Sequence, residues 1–264
     1  MILAAAIPLG SLLLSLGILL LAYRISFWLW FVLHTFWSYQ ILAARCLEQE
    51  SRKVYRFLAA GDLSGARTQL SYLVGRETSQ LSAEEVTKAC VETVAENTSD
   101  GVTAPLFYLL LGGVPLGFCY KAINTLDSMV GYRNAKYLFF GRASAKTDDA
   151  ANWLPARICG VLTVSAFLLR LDGKNAWRIF RRDRRNHLSP NSAQTESAAA
   201  GALGIQLGGH IYFGDVVEKP TIGDAVRLAE PEDIRRTNGM MFAASGLSLL
   251  GFGLLRFAAV LLFR

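Results

Sequence analysis

Charged residues are scarce in this sequence. They make up 18% of the 264 residues, whereas a soluble domain usually carries about a quarter. Residues 1–23 contain no charged side chain, and residues 25–44 contain only the titratable His34. Each run approaches the roughly 20 residues that a helix needs to cross a bilayer. This pattern predicts an integral membrane protein and argues against a cleaved signal peptide, because the first run has no basic leader and a second follows at once.

Cysteine is also rare, and the cysteines that are present form no CxxC pair. This spacing predicts neither a disulfide framework nor a zinc site. We expect them to behave as small buried hydrophobic residues. The four are Cys46, Cys90, Cys119 and Cys159.

The formal net charge is +6, and its excess is concentrated in one segment. Residues 174–185, KNAWRIFRRDRR, carry six cations and one acidic side chain. In a membrane protein such a segment marks the cytoplasmic face and can bind phosphate groups. We therefore expect no nucleic-acid partner, a multi-pass protein of the cell (inner, cytoplasmic) membrane, and an active site on the cytoplasmic side.

The pattern of apolar and polar segments predicts an all-α, polytopic membrane protein that forms a single membrane domain. We expect four to five apolar membrane segments, some of them re-entrant, and no strand pattern is evident. Asp62 is predicted to cap one helix, and Ser82 with Glu85 forms a capping box for another. The predicted regions are two apolar spans (1–44), a polar helical region (45–101), a broken apolar hairpin (102–123), a polar site loop (124–154), and membrane segments with basic and glycine-rich site loops (155–264).

The apolar segment 102–123 is interrupted by GGVP at residues 112–115. Glycine and proline both stop helices, and half-helices of about ten residues are too short to cross a bilayer separately. We favour a re-entrant hairpin, because it brings the polar flanks to one side. The alternative is a single kinked helix that spans the membrane.

Acidic and amide residues surround this broken segment. Glu92 and Glu96 lie four residues apart and share a helix face, with Asp100 just beyond. Carboxylate and amide oxygens suit Mg²⁺, which usually takes one or two carboxylates together with substrate phosphates. The alternative is that individual acids lie on solvated helix faces or in turns. The remaining members of the set are Asn124 and Asp127, and further along Asp148, Asp149 and Asn152.

A second set of polar residues lies in RRDRRNHLSPNSAQTES, residues 181–197. Arginine makes bidentate contacts with phosphate, and His187 and Glu196 are candidate bases, although a lone histidine is more often a hydrogen-bonding residue. Ser189 to Asn191 also fits a turn with a helix cap. The glycines of GALGIQLGG would permit a close approach to a ligand, or equally the close packing of membrane helices.

Together these segments resemble the adenosylcobinamide-phosphate synthases of cobalamin biosynthesis, the CobD/CbiB family. Similarity runs from about residue 44 to about residue 236, and YFGD and KPTIGD follow in the expected order. Family members usually begin with a segment of the form D-x-x-x-G-D-P followed by H-P, which this sequence lacks. Either the start was assigned too late or the chain is a shortened member, and if the segment contributes to the site, we expect its loss to impair activity. The motifs that carry the resemblance are GRETSQL (75–81), ETVAENTSDG (92–101), APLF (104–107), YKAINTLDSMVGY (120–132), SAKTDDAANWLPAR (144–157), RDRRNHLSPN (182–191) and AGALGIQLGG (200–209).

The resemblance implies an amide ligation that consumes ATP with Mg²⁺. The carboxylate of adenosylcobyric acid is joined to the amine of (R)-1-amino-2-propanol O-phosphate, or of aminopropanol, giving adenosylcobinamide phosphate. The expected partners are the corrinoid substrate, the amine substrate and the lipid bilayer, with a homo-oligomer or other corrinoid-pathway enzymes as further expectations.

On this basis we assign expected roles, with the acids converging on one metal–phosphate site. Expected catalytic residues are Glu92, Glu96, Asp127, His187 and Glu196. Expected metal ligands are Glu96, Asp100, Asp127, Asp148 and Asp149. Expected substrate- or phosphate-binding residues are Asn97, Lys121, Asn124, Ser128, Asn152, Arg157, Arg182, Arg185, Ser189, Asn191, Gly208 and Gly209.

Two other functions remain open from the sequence. One is another Mg²⁺-dependent membrane transferase acting on phosphorylated substrates, although the D-x-x-x-D spacing typical of such enzymes is absent. The other is a corrinoid-binding or transport protein without catalysis, because broken helices with polar flanks also occur in transporters. A transporter should, however, place its polar residues within the spans, and here they lie in the flanks.

Overall fold

The computed structural model describes residues 2–131, 141–168, 172–213 and 215–262. Helix dominates these residues, which confirms the predicted all-α class; the described strands form a single two-stranded antiparallel sheet. The helices are α1 (Ile2–Ile25), α2 (Phe27–Ile41), α3 (Ala44–Ala59), α4 (Leu63–Ser71), α5 (Ala83–Thr98), α6 (Ala104–Val130), α7 (Arg142–Phe167), α8 (Gly173–Asp183), α9 (Ala193–Leu203) and α10 (Glu232–Leu262), with a π-helical turn (Ser99–Thr103) before α6 and strands β1 (Leu207–Phe213) and β2 (Asp215–Ile222).

Three helical segments among the described residues are long and apolar enough to cross a membrane. They are Leu3–Ile25, Ala83–Val130 and Glu232–Leu262. The predicted count of four to five membrane segments is not confirmed. Helix α2 belongs to the second expected span but has only 15 residues, short of the roughly 20 that a crossing requires.

The chain divides into two compact units. Unit 1 comprises residues 1–43, 100–155 and 248–264. Its core contains Leu19, Ile41 and Val114, with the rings of Trp37 and Phe118 packed against them. Many large apolar side chains of α1, α2 and the end of α10 are exposed, such as Leu14 and Leu255. An apolar surface of this extent is the one that a lipid bilayer would cover.

Helix α6 folds back on itself at Gly112 and Gly113. Gly113 has φ 68° and ψ −164°, which interrupts the helix. The rings of Tyr108 and Tyr120 stack with their centroids 4.9 Å apart, and the Tyr120 hydroxyl donates a 3.0 Å hydrogen bond to the carbonyl oxygen of Asp100. Twelve residues of continuous helix would separate those two tyrosines by about 18 Å. Helix α6 therefore reverses direction at the glycine pair, and whether this hairpin is re-entrant in a membrane stays a prediction.

Unit 2 comprises residues 44–99 and 156–247. Helix α5 begins with the predicted capping box of Ser82 and Glu85, and Asp62 caps α4 as expected. Every residue of α9 is buried. Its small side chains allow a close approach to α8, since a Cβ atom on Gly201 would lie 2.8 Å from the carbonyl oxygen of Asn175.

Two expectations about local structure were wrong. The glycine-rich segment after α9 was not expected to form strands, yet it enters β1, which pairs with β2. The region 124–154 was expected to be a loop, yet α6 continues to Val130 and α7 begins at Arg142. Helix α7 also continues through Pro155. Glycines in β1 and Pro220 in β2 obscure the strand pattern, because both residue types are unusual inside strands. The polar residues of 124–154 follow helical spacing at Asn124 and Asp127 on α6 and at Asp148 and Asn152 on α7.

Candidate functional site

In unit 1 a polar cluster forms around Asp148, and we call it the Asp148 cluster. The carboxylate accepts a 2.9 Å hydrogen bond from Asn152 Nδ2 and a 3.4 Å one from Asn124 Nδ2. Asn152 Oδ1 in turn accepts a 2.7 Å hydrogen bond from the Tyr120 hydroxyl. The second half of α6 supplies Tyr120 and Asn124, while α7 supplies the other two residues. The fold-back of α6 allows Tyr120 to bond both the backbone of the π-helical turn and α7.

Asp148 is a carboxylate in an unfavourable environment for its charge. Burial, and next the negative charge of Asp127, raise the pKa of Asp148 to about 7, while the amides of Asn152 and Asn124 oppose the shift. Asp149 adds a smaller effect in the same direction as burial. A carboxyl group with this pKa exchanges its proton near neutral pH, and a bound cation would favour its charged form.

The donor set of the Asp148 cluster fits Mg²⁺. It offers carboxylate oxygens at Asp148 and Asp127 and amide groups beside them, and hard oxygen ligands are those that Mg²⁺ prefers. Across the described residues, no group of three or more histidine, cysteine, aspartate or glutamate side chains is arranged to hold a metal ion. An ion bound by these carboxylates would complete its coordination with water and phosphate. Which of the expected acids bind metal stays a prediction.

In unit 2 a polar cavity of about 170 Å³ lies beside α5, and we call it the Glu196 cavity. Glu92 and Glu96 share one face of α5, as predicted, and both line it. Glu92 Oε1 accepts a 2.8 Å hydrogen bond from the Gly208 N–H, and its Oε2 accepts a 3.3 Å one from Arg76 Nη2. Glu96 Oε1 accepts a 2.7 Å hydrogen bond from the Ser192 hydroxyl. The full lining is Leu73, Val74, Gly75, Arg76, Ala89, Glu92, Thr93, Glu96, Asn97, Glu196 and Lys219.

Glu196 lies in the first turn of α9 and is only 3% exposed. Its carboxyl group lines the cavity, and within the described residues no hydrogen bond is formed by it. Burial, followed by the charges of Glu96 and Glu92, raises the pKa of Glu196 well above its usual range. Its carboxylate is therefore a stronger proton acceptor than that of an exposed glutamate.

His187 is held in one tautomer. Its Nδ1 accepts a 3.0 Å hydrogen bond from the Ser189 N–H, and burial, with Lys219 next, lowers the pKa of the ring despite the opposing charges of Glu96 and Glu92. A neutral ring with Nδ1 accepting carries its proton on Nε2. That nitrogen is buried, with no partner in the described part of the chain. His187 is therefore placed to donate a hydrogen bond, and its contacts do not support the expected role of base.

Two of the expected phosphate-binding arginines are engaged in contacts with protein groups. Arg182 forms ion pairs with Asp183 at 2.6 Å and with Asp224 at 2.7 Å. Asp183 also accepts a 2.8 Å hydrogen bond from the Gly223 N–H, so this group ties α8 to the end of β2. Arg157 Nη1 donates to Asn191 Oδ1 at 3.2 Å. The contacts of Arg182 favour a structural role over phosphate binding.

The other expected residues fall into the two units separately. Asn97 lines the Glu196 cavity, Ser189 Oγ accepts a hydrogen bond from the Asn191 N–H, and Gly208 has φ +76° with no room for a Cβ atom next to Pro220. A single site that unites all the acids stays a prediction. The remaining members are, in unit 1, Asp100, Lys121 and Ser128, and, in unit 2, Arg185 and Gly209.

Four residues of these sites were not singled out from the sequence. They are Arg76, Tyr120, Ser192 and Lys219. Three of them stood in segments that carry the family resemblance, namely GRETSQL, YKAINTLDSMVGY and KPTIGD. Their position in these family motifs could have identified these three residues from the sequence. Ser192 lies outside the motifs but directly follows one of them.

Comparison with known proteins places the chain in a family. The family model described as CobD/Cbib protein matches residues 1–241. The chain is similar to proteins named "Cobalamin biosynthesis protein CobD" from Listeria monocytogenes, with 51% identity over 89% of this chain and 75% of the relative, and from Geobacter metallireducens, with 56% identity over 79% and 66%.

A relative named "Cobalamin biosynthesis protein CbiB" from Salmonella arizonae is 52% identical over 89% of this chain and 75% of its own length. No solved structure matched the chain. The region matched by the family model includes the residues that build both the Asp148 cluster and the Glu196 cavity. The chain therefore belongs to the CobD/CbiB family.

Proposed function

We propose that the chain is the amide ligase of its family, acting in cobalamin biosynthesis. The family membership supports the role in cobalamin biosynthesis. The finer proposal is an ATP-dependent reaction that joins adenosylcobyric acid to (R)-1-amino-2-propanol O-phosphate, or to aminopropanol, and releases adenosylcobinamide phosphate. The corrinoid, the amine and the lipid bilayer are the proposed partners, and the cytoplasmic side of the cell membrane is the proposed location.

The Asp148 cluster is the observation that carries this proposal. Two motifs that are separate in sequence, YKAINTLDSMVGY and SAKTDDAANWLPAR, meet through hydrogen bonds from Tyr120 and Asn124 to Asn152 and Asp148. Asp148 is 7% exposed. Within the described residues this carboxylate is held by amides and by no cation, and a buried carboxylate with a perturbed pKa is typical of functional sites more than of structural ion pairs.

Amide formation requires a carboxylate oxygen to become a leaving group. ATP would transfer a phosphoryl group to that oxygen. The amine nitrogen would then attack the carbonyl carbon, the C–O bond would break, and phosphate would leave as the amine loses a proton. Phosphoryl transfer depends mainly on positioning and on neutralising charge, so this reaction needs acids, amides and cations and no nucleophilic side chain.

The residues present match those requirements. Asp148 and Asp127 would hold Mg²⁺, which when bound neutralises negative charge on the phosphates. Asn124 and Asn152 fix the orientation of the Asp148 carboxylate through their side-chain amides. Within unit 2, Glu196 is a better candidate proton acceptor than His187, which already uses its Nδ1 as an acceptor.

Mass spectrometry tests the proposal directly. The detergent-purified chain is incubated with adenosylcobyric acid, aminopropanol phosphate, ATP and Mg²⁺, and reactions without ATP or without the amine serve as controls. We expect an amide product only in the complete mixture. A folded, monodisperse preparation that makes no amide, or that instead turns over prenyl or alcohol diphosphates, would overturn the proposal.

A further inference from the structure

The Glu196 cavity contains one ion pair and, beside it, ionisable groups that form no ion pair in the described part of the chain. Glu92 is neutralised by Arg76 at 3.3 Å. The carboxyl group of Glu196, 97% buried, has no hydrogen-bond partner in the described ranges, and Lys219 forms no ion pair there either. Arg76 Nε is buried without a partner in the same part of the chain. Buried polar groups are nearly always paired, so each such exception requires an explanation.

We propose that the Glu196 cavity is the pocket for the small amine substrate, an aminoalkyl phosphate held by both of its charged ends. Its ammonium group would lie against Glu96 and Glu196, and its phosphate against Lys219 and the free donor of Arg76. This inference rests on the proposed function for the identity of the amine. The recognition chemistry, a cation and an anion on one short ligand, comes from the cavity itself.

The volume of the cavity limits the size of the ligand. It measures about 170 Å³. An apolar cavity of about 150 Å³ binds benzene, which has about six non-hydrogen atoms, and aminopropanol phosphate has about nine on the same scale. ATP, with about thirty, and the still larger corrinoid are far too large to be enclosed. Of the three proposed substrates, only the amine is small enough for the cavity to enclose it whole.

A metal ion is a poorer occupant of this cavity. Both oxygens of Glu92 already accept hydrogen bonds, from Gly208 and Arg76. Arg76 and Lys219 bring positive charge into the same lining, and that charge repels a divalent cation. The described residues contain no cluster of metal-binding side chains. A zwitterion uses both kinds of charge, whereas a metal ion uses only the carboxylates.

Two variants separate the two ends of the ligand. Glu196→Gln removes the ionisable carboxyl group that would meet the ammonium group, and Lys219→Gln removes the ammonium group that would meet the phosphate. Glu84→Gln is the matched control, because Glu84 lies two turns before Glu92 on α5 and pairs with Lys88 at 2.7 Å, outside the cavity lining. Calorimetric titration of each detergent-purified protein uses three probes, namely aminopropanol phosphate, aminopropanol and inorganic phosphate.

We expect Glu196→Gln to weaken binding of aminopropanol phosphate and aminopropanol by about 10-fold or more, since a charge-assisted hydrogen bond is lost. Lys219→Gln should weaken aminopropanol phosphate and inorganic phosphate by a similar factor and leave aminopropanol unchanged. Glu84→Gln should bind all three probes as the wild type does. Melting temperatures show that each variant is folded, and if Glu196→Gln fails to fold, Lys219→Gln still decides between the outcomes.

Measurements of amide formation and of amine binding distinguish an error in the assigned amine pocket from an error in the proposed ligase function. A wild type that forms the amide, with the KM for the amine unchanged in both variants, would overturn the pocket and leave the ligase standing. A wild type that forms no amide but binds aminopropanol phosphate, with that binding lost in both variants, supports the pocket and overturns the ligase. Binding of inorganic phosphate and aminopropanol phosphate with equal affinity would overturn the two-ended recognition.

Discussion

In unit 1 the residues of the Asp148 cluster lie on two helices, α6 and α7, in a largely apolar unit. The cluster forms because α6 turns back at a glycine pair. In unit 2 the Glu196 cavity is surrounded by alanine-rich and polar helices, and its charges come from α5, α9 and the end of the β-hairpin. In the Asp148 cluster the carboxylate accepts hydrogen bonds from neutral amides. In the Glu196 cavity the carboxylates are paired with an arginine, a backbone N–H and a hydroxyl.

This difference in pairing indicates different chemistry. A carboxylate surrounded by amides and a second carboxylate attracts a cation, which agrees with metal–phosphate binding in unit 1. Carboxylates and cations that share one small cavity suit a ligand that carries both charges, as proposed for unit 2. The two groups also depend on different parts of the sequence, so substitutions can disable one of them and spare the other.

The largest expected effect comes from Asp148→Asn, which removes charge from unit 1 without changing shape. We expect turnover to fall about 100-fold or more, the magnitude typical of losing a preorganised charged group. Binding of aminopropanol phosphate in unit 2 should be unchanged. The measurements are amide formation by mass spectrometry and calorimetric titration of the amine. Turnover close to wild type would remove Asp148 from the site.

With metal ions removed by EDTA, the stability of the same variant relative to wild type should depend on pH. Because burial raises the pKa of Asp148 to about 7, the stability gained by keeping this group neutral is complete below its unfolded pKa and is lost as the pH rises through about 7. The amide side chain of the variant has no such loss. We expect the melting temperature of Asp148→Asn, relative to wild type, to rise between about pH 4 and about pH 7 and to level off above that. A constant difference would contradict the assigned environment.

Gly113→Ala tests the fold-back on which the Asp148 cluster depends. The φ of +68° at Gly113 is unfavourable for alanine, and we expect a loss of about 1–3 kcal/mol of stability with reduced turnover. Gly10→Ala is the control, because a Cβ atom there would meet nothing within 4 Å and alanine favours the helix. Thermal melting compares the two proteins. Equal stability of both would show that the break does not need glycine.

Ser82→Ala should have the smallest effect and concerns the helix that carries Glu92 and Glu96. It removes the Oγ that accepts from the Glu85 N–H at 3.2 Å, and losing such a cap costs about 1 kcal/mol. We expect a drop in melting temperature of about 2–4 °C and unchanged affinity for the amine. If affinity falls as strongly as in Glu196→Gln, the cavity depends on the start of α5 more than its contacts indicate.

Much of the local structure was predictable from the sequence. The capping box at Ser82, the cap at Asp62, the break at Gly112 and Gly113, and the shared face of Glu92 and Glu96 are all short-range features. Their physics is contained within a few neighbouring residues, so spacing and residue type are enough to identify them. The candidate acids of both units were found in the same way. The β-hairpin was missed because β1 begins in glycine-rich sequence and β2 contains Pro220, and both residue types are unusual inside strands.

The sequence by itself determined that this is a helical membrane protein of the CobD/CbiB family, because composition, apolar run length and ordered motifs are properties of the linear chain. Only the tertiary structure decided which polar groups pair. Glu92 meets Gly208 across 116 positions and Glu96 meets Ser192 across 96, and no local spacing encodes such contacts. They form because packing of α5 against α9 and β1 buries these groups together, and buried polar groups require partners.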